Sequence, residues 1–313
     1  MVIYRSLSDA VPISGSVVTM GTFDGIHRGH QEIVKQVVVN AKSKNVPSVL
    51  ITFDPHPRHV LDRDREKLSL IMNLDAKISI LKKYQVDTVL IIPFTQDFSQ
   101  LPAKDFLEEV VINYFHPIHL IVGYDHHFGY KRGGSPEFIQ SYLSDKDIQV
   151  DVVTPFTDEG VVISSSHIRE LIQSGYIRRA NFELGWVYGF RAKVIHGSGR
   201  GRRMTFPTAN FVPIEKDQLL PENGVYLTRG RVNGDQLYGM CNLGFRPTFG
   251  ERNFVMEVHF FDLDSADLYS KEITIEFLER IRDEKKFTSV DDLKIAMKQD
   301  QAFSKQYLKD NHA

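Results

Sequence analysis

Apolar and polar positions change rhythm near the middle of the chain. In the first half, short apolar runs at Val17–Met20, Ser48–Phe53, Thr88–Pro93, His119–Gly123 and Gln149–Val153 alternate with amphipathic stretches around His30–Lys44, Asp75–Tyr84 and Ala103–Tyr114. Buried strands separated by helices predict an α/β unit with a parallel sheet covered on both faces. Such sheets bind ligands beyond the carboxyl ends of their strands. Two further helices are expected, one from near Ser164 to Gly175 with three serines as candidate caps, the other over Tyr176–Leu184 and ending at Gly185.

From Tyr188 the runs shorten and become β-rich: Arg191–His196, Gly224–Val232, Leu237–Asn242, Asn253–Phe260 and Ile273–Phe277, with turn residues such as those at 232–235 between them. This spacing predicts a small closed or nearly closed antiparallel barrel. Ser289–Leu308 carries Leu293, Ile295, Met297 and Phe303 among charges, the pattern of a terminal helix. The rhythm change sets two domains, 1–185 and 186–313.

Composition narrows the function classes. A length of 313 residues accommodates two cores, and a net charge of −2 gives no electrostatic case for general nucleic-acid binding. Cys241 is the single cysteine, so no intrachain disulfide or cysteine zinc cluster is expected. No apolar run approaches the roughly 20 residues of a membrane helix, and the N-terminus lacks a signal-peptide apolar core. Together these suggest a cytoplasmic protein without a membrane or nucleic-acid partner.

The first strand runs into Gly21-Thr22-Phe23-Asp24-Gly25-Ile26-His27-Arg28-Gly29-His30. A strand, a glycine-rich turn and a helix start make a phosphate site, because glycines admit the anion to backbone amides and the helix N-terminus adds partial positive charge. Neither the lysine-bearing P-loop nor the dinucleotide glycine pattern is present. His27 and His30, three apart, share one face of the opening turn.

Ile163-Ser164-Ser165-Ser166-His167-Ile168-Arg169 places hydroxyls at a second helix start with an arginine one turn in, a grip for terminal phosphates. The aromatic and basic loop Gly123–Gly133 follows another strand. Attack on an α-phosphate requires charge stabilisation on the reacting group and on departing pyrophosphate, with little covalent help. Histidines can donate hydrogen bonds there. His56 and His59 lack an evident third metal ligand and suit a loop role.

These segments, with Phe53-Asp54-Pro55-His56-Pro57-Arg58, resemble the Rossmann-like α/β nucleotidyltransferase module of prokaryotic bifunctional riboflavin kinase/FAD synthetases. The resemblance implies that His27 and His30 stabilise the transition state, that Arg169 holds the leaving group, and that Gly21, Thr22, Phe23, Gly25, Ser164 and Ser165 surround the nucleotide. It places flavin contacts at Asp125 and Phe128, although residue type alone reads Tyr124 and Phe128 as packing aromatics. Family members often carry asparagine where Thr22 stands and an aromatic where His126 stands.

The second half contains a glycine–arginine flap, His196 to Arg203, followed by Thr205-Phe206-Pro207-Thr208-Ala209-Asn210. The flap suits a nucleotide diphosphate. Thr208 and Asn210 offer hard oxygen ligands for Mg²⁺. Strand alternation puts Glu257 opposite Met256 and Val258, where it can act as a general base. Each piece has a plainer reading: a solvated loop, an ordinary turn, the polar face of an edge strand.

Taken in order with Asn242–Gly250 and Ile281–Phe287, they resemble a riboflavin kinase domain. That resemblance implies a six-stranded Greek-key barrel and a C-terminal helix. It assigns Gly199, Arg200, Gly201 and Arg202 to the nucleotide, Thr208 and Asn210 to Mg²⁺–ATP, Glu257 to the riboflavin 5′-hydroxyl, and Arg282 and Phe287 to the flavin border. Met204, Thr205 and Ser270 stand where the family usually has leucine or isoleucine, glycine and glycine.

The expected activity is phosphorylation of riboflavin to FMN by ATP, then adenylylation of FMN to FAD with release of pyrophosphate, with Mg²⁺ at both steps. The alternatives are a single-function FAD synthetase whose barrel only binds flavin, and a flavin-binding regulator whose flap touches nucleic acid. Oligomeric state is not legible in the chain.

Overall fold

The computed structural model describes residues 1–62, 67–195, 206–232, 235–248, 251–261, 268 and 270–311. The chain divides into two compact units, Met1–Ser165 and Ser166–Ala313.

The first unit is built on a six-stranded sheet: β1 Val2–Tyr4, β2 Ser16–Met20, β3 Ser48–Asp54, β4 Thr88–Pro93, β5 Pro117–Gly123 and β6 Gln149–Val153. The strands are parallel and ordered β1-β4-β3-β2-β5-β6. Every residue of β2 is buried, as a central strand with two covered faces requires. From β2 the chain moves outward to β3 in one direction, and β5 flanks it in the other. The end of β2 is therefore the switch point at which open α/β sheets bind ligands.

The helix Arg28–Lys44 buries Gln31, Ile33, Val34, Val37, Val38 and Ala41, the i, i+3, i+4 stripe that seats it on the sheet. It stops at Asn45, whose left-handed φ of 53° lets its N–H bond the carbonyls of Ala41 and Lys42. Residues 103–115 are helical throughout, with π-type bonding over Phe106–Ile112. Phe106, Leu107, Val110, Val111 and Phe115 join β-strand residues in one apolar core. A two-stranded hairpin, β7 Thr157–Asp158 with β8 Val161–Val162, completes the unit.

The second unit is a closed antiparallel barrel of β9 Gly189–Ile195, β10 Ala209–Pro213, β11 Gly224–Val232, β12 Asp235–Thr248, β13 Glu251–Phe260 and β14 Glu272–Arg282, in the order β10-β13-β12-β11-β14-β9. Its interior holds Phe211, Met256 and Leu243 in one layer and Val258, Cys241 and Tyr226 in the next. The helices Ser165–Gln173 and Ile177–Leu184 pack with the barrel. Asn181 donates to the Phe277 carbonyl at 2.8 Å and accepts from Tyr188 N–H at 2.7 Å. Gly175, at φ +76°, faces the Arg280 guanidinium, where a Cβ would come within 2.6 Å. The terminal helix Val290–Asp310 is capped by Ser289, which accepts from Asp292 N–H.

Candidate functional sites

The loop leaving β2 is held by its carbonyls. Thr22 O accepts from Lys77 Nζ at 2.6 Å and from Thr52 Oγ1 at 3.2 Å. Asp24 O accepts from Ser165 Oγ at 2.8 Å, and Ile26 O accepts from Gln31 Nε2 at 2.8 Å. Phe23, Gly25 and Ile26 take positive φ, a sharp path that only Gly25 adopts without steric cost. A Cβ on Gly21 would lie 3.2 Å from the Phe23 ring, which would have to give by a few tenths of an ångström to admit it.

His27 does not share the helix face with His30 as an ordinary helical residue. It is the N-cap of the helix Arg28–Lys44, and its Nδ1 accepts from His30 N–H at 3.4 Å. An accepting Nδ1 carries no proton, so in the neutral ring the donor is Nε2. The two imidazoles stack with centroids 3.8 Å apart and 23° between planes, and Phe23 meets His30 edge-on at 5.2 Å. His30 Nδ1 is buried and has no partner among the described residues. Burial, then the neighbouring charges of His27 and Lys77, hold the His30 pKa well below the usual 6.5, so at neutral pH it is an uncharged hydrogen-bonding ring.

Ser165 occupies the first turn of its helix, but its hydroxyl hydrogen goes to the Asp24 carbonyl rather than to a free position. Ser164 is partly buried just before it, and Arg169, also partly buried, lies one turn along the same helix, in the second unit. His56 caps the short helix Pro57–Leu61 and His59 bonds the Leu68 carbonyl, so both serve the loop. Among the described residues no group of three or more His, Cys, Asp or Glu could hold a metal.

Asp125 is exposed in the turn after β5. Phe128 is a core residue, 8% exposed, among Phe106, Phe138 and His126. The reading of it as a packing aromatic is the one its burial favours. Gly134 lies under that ring, with 2.4 Å between a hypothetical Cβ and Phe128. His126 stacks on Phe128 at 5.4 Å and 20°, with a buried Nε2 that has no partner among the described residues and a pKa lowered to about 4 by burial. It thus packs there as a neutral imidazole.

On the barrel, Asn210, Glu257 and Asn242 stand directly opposite one another across β10, β13 and β12. Opposed residues share a face with Cβ atoms about 5 Å apart. Met256 and Val258 fill the interior, so this polar row faces outward. Alternation along one strand identified Glu257; Asn242 required the cross-strand register.

The approach to Thr208 is fixed by His259, whose Nδ1 bonds the Pro207 carbonyl at 2.8 Å while Phe206 meets its ring edge-on at 5.1 Å. Arg282 lies over the Phe287 ring at 5.5 Å and forks onto Asp300, with contacts of 2.9, 3.1 and 2.9 Å. Asp300 is 5% exposed on the terminal helix, a position the sequence analysis did not single out. Gly199, Arg200, Gly201 and Arg202 lie outside the described residues, as do Met204 and Thr205.

Two family descriptions divide the chain in the order of its two folds: FAD synthetase over residues 11–167 and riboflavin kinase over 184–308. The bifunctional riboflavin kinase/FMN adenylyltransferase of Bacillus subtilis is 35% identical over 281 residues, covering 89% of this chain and 88% of the relative. The chain belongs to the bifunctional riboflavin kinase/FMN adenylyltransferase family. The Escherichia coli K12 member is 31% identical over 304 residues, 97% of this chain and 96% of its own. A solved Streptococcus pneumoniae structure, described as a macrolide-efflux protein, matches with a TM-score of 0.86 and 30% identity, over 97% of this chain and 98% of that one. Among the described residues no helix is long and apolar enough to cross a membrane.

Proposed function

We propose that the polar sets described above are the two active sites of this family member, adenylylation belonging to residues 1–185 and phosphorylation to 186–313. The chain is a bifunctional enzyme of FAD biosynthesis: it converts riboflavin and ATP to FMN and ADP, and FMN and ATP to FAD and pyrophosphate. The observation that carries the assignment of the first site is the stacked His27–His30 pair at the sheet's switch point.

At that site an oxygen of the FMN phosphate attacks the α-phosphorus of ATP, and the bond to pyrophosphate breaks. The Nε2–H of His27 and the neutral His30 ring are positioned to donate to the phosphoryl oxygens as charge develops. Arg169 and Ser164 are assigned to the triphosphate; Ser165 contributes by holding the Asp24 carbonyl. Asp125 remains the flavin-side candidate.

On the barrel, Glu257 takes the proton of the riboflavin 5′-hydroxyl as its oxygen attacks the γ-phosphorus and ADP leaves. Thr208 and Asn210 would hold Mg²⁺ through oxygen donors of the hard type it prefers. The ion would neutralise phosphate charge. Arg282 and Phe287 border the flavin. The buried Cys241 is compatible with a reducing cytoplasm.

His30→Ala in the full chain tests the division. It should reduce FAD formation from FMN by a hundredfold or more and leave FMN formation from riboflavin within twofold. Equal loss of both activities in a folded variant would refute separate sites.

A further inference from the structure

A buried cation lies under the phosphate loop and has no part in the chemistry assigned so far. The helix Leu74–Lys83, capped by Asn73, turns two positions inward, Leu81 and Lys77. Its other lysines, Lys82 and Lys83, are exposed, whereas Lys77 is only 7% exposed. A buried ammonium carries a desolvation cost unless its donors are used. Here Nζ donates to Thr22 O at 2.6 Å and to Thr52 Oγ1 at 3.3 Å, and Thr52 Oγ1 donates to the same carbonyl.

We propose that Lys77 is a positioning residue for adenylyl transfer, its ammonium fixing the Thr22 peptide and, through it, the phosphate loop. This inference rests on the reading that the loop holds the ATP phosphates. In a trans peptide the carbonyl and the following N–H point oppositely, so anchoring Thr22 O sets the direction of the Phe23 N–H. A loop with Phe23, Gly25 and Ile26 all at positive φ needs such external ties to keep one conformation. Two neutral donors could tie the carbonyl; a lysine adds a fixed positive charge.

That charge faces Asp24 in the loop, Asp54 at the end of β3, and His30 on the helix Arg28–Lys44. Burial lowers the Lys77 pKa to about 8, and the two aspartates oppose the shift. At neutral pH the group remains mainly charged. Its field disfavours the imidazolium form of His30, helping to preserve the neutral donor.

The test compares Lys77→Met, Lys77→Arg and His30→Ala in the full chain. FAD formation is followed against ATP concentration, FMN formation from riboflavin serves as the internal control, and histidine-labelled protein reports the His30 titration by NMR. Lys77→Met should lower kcat for FAD formation at least tenfold, more than it raises KM for ATP. FMN formation should stay within twofold, and His30 should titrate at higher pH. Lys77→Arg, retaining the charge, should recover a third or more of the wild-type kcat.

Lys77→Met activity within twofold of wild type, or an unmoved His30 titration, would overturn the proposal. Should the methionine variant fail to fold, the folded arginine variant decides: retained kcat supports positioning, and a tenfold loss refutes it. Retained FAD formation in His30→Ala would instead refute the underlying site assignment, separating that failure from an error about Lys77.

Discussion

His126 makes the first unit acid-sensitive in a way that one substitution should remove. Its ring stacks on the core residue Phe128, its Nε2 is buried with no partner among the described residues, and its pKa is lowered to about 4. In the unfolded chain it titrates near 6.5. Between these values the unfolded state binds a proton that the native state does not, so stability rises with pH. The full native advantage is present above about pH 6.5 and falls by about 1.4 kcal/mol per pH unit toward pH 4. At pH 5.5 the loss is about 1.4 kcal/mol, an upper value because solvent reaches part of the residue. In a unit of this size that corresponds to roughly 3–6 °C in melting temperature.

His126→Phe keeps a ring against Phe128 and removes the titrating group. Thermal unfolding of wild type and variant at pH 7.5 and 5.5, followed by circular dichroism, isolates the difference. His30 and His119, whose pKa values are also lowered chiefly by burial, contribute equally to both proteins and cancel. Wild type should lose up to about 1.4 kcal/mol more than the variant between the two pH values. Identical acid losses would show that His126 is protonated in the native state and that its stacked, neutral assignment is wrong.

Other consequences can be checked directly. Glu257→Gln should reduce FMN formation from riboflavin at least a hundredfold, since the amide cannot accept the hydroxyl proton, with FAD formation from supplied FMN unchanged in the same assay. Asp300→Asn weakens a three-contact fork onto Arg282 and should destabilise the barrel by about 2 kcal/mol in urea unfolding, with a raised KM for riboflavin as Arg282 loses its hold over Phe287. Ser270 sits at φ +63°, so Ser270→Gly should stabilise the barrel by up to about 1 kcal/mol in the same unfolding assay.

Most strands of both units were legible because their burial imposes a period. β4 and β6 match the expected Thr88–Pro93 and Gln149–Val153 runs, and β11 matches Gly224–Val232. β1 has only three residues and no full repeat on which a period could be read. β10 begins within Pro-Thr-Ala-Asn, whose turn-like composition conceals a strand held by register with β9 and β13. β12 runs on through Gly244 and Pro247, residues that normally signal a strand's end.

The site residues follow the same division. His27, His30 and Glu257 are candidates that local spacing alone singles out. Lys77 and Asp300 do not, because a charge on an amphipathic helix ordinarily faces water. Only tertiary packing places the first under Thr22 and the second against Arg282. Asn242 is recognised once β12 is aligned beside β13.

Product analysis of the purified full chain with riboflavin, ATP and Mg²⁺, and in parallel with FMN, ATP and Mg²⁺, tests the central claim most directly. The account predicts FMN and then FAD from the first mixture and FAD with pyrophosphate from the second. FAD only from supplied FMN would reduce the barrel to a binding module and contradict the role of Glu257. Absence of any flavin product from either mixture would contradict the enzyme assignment itself.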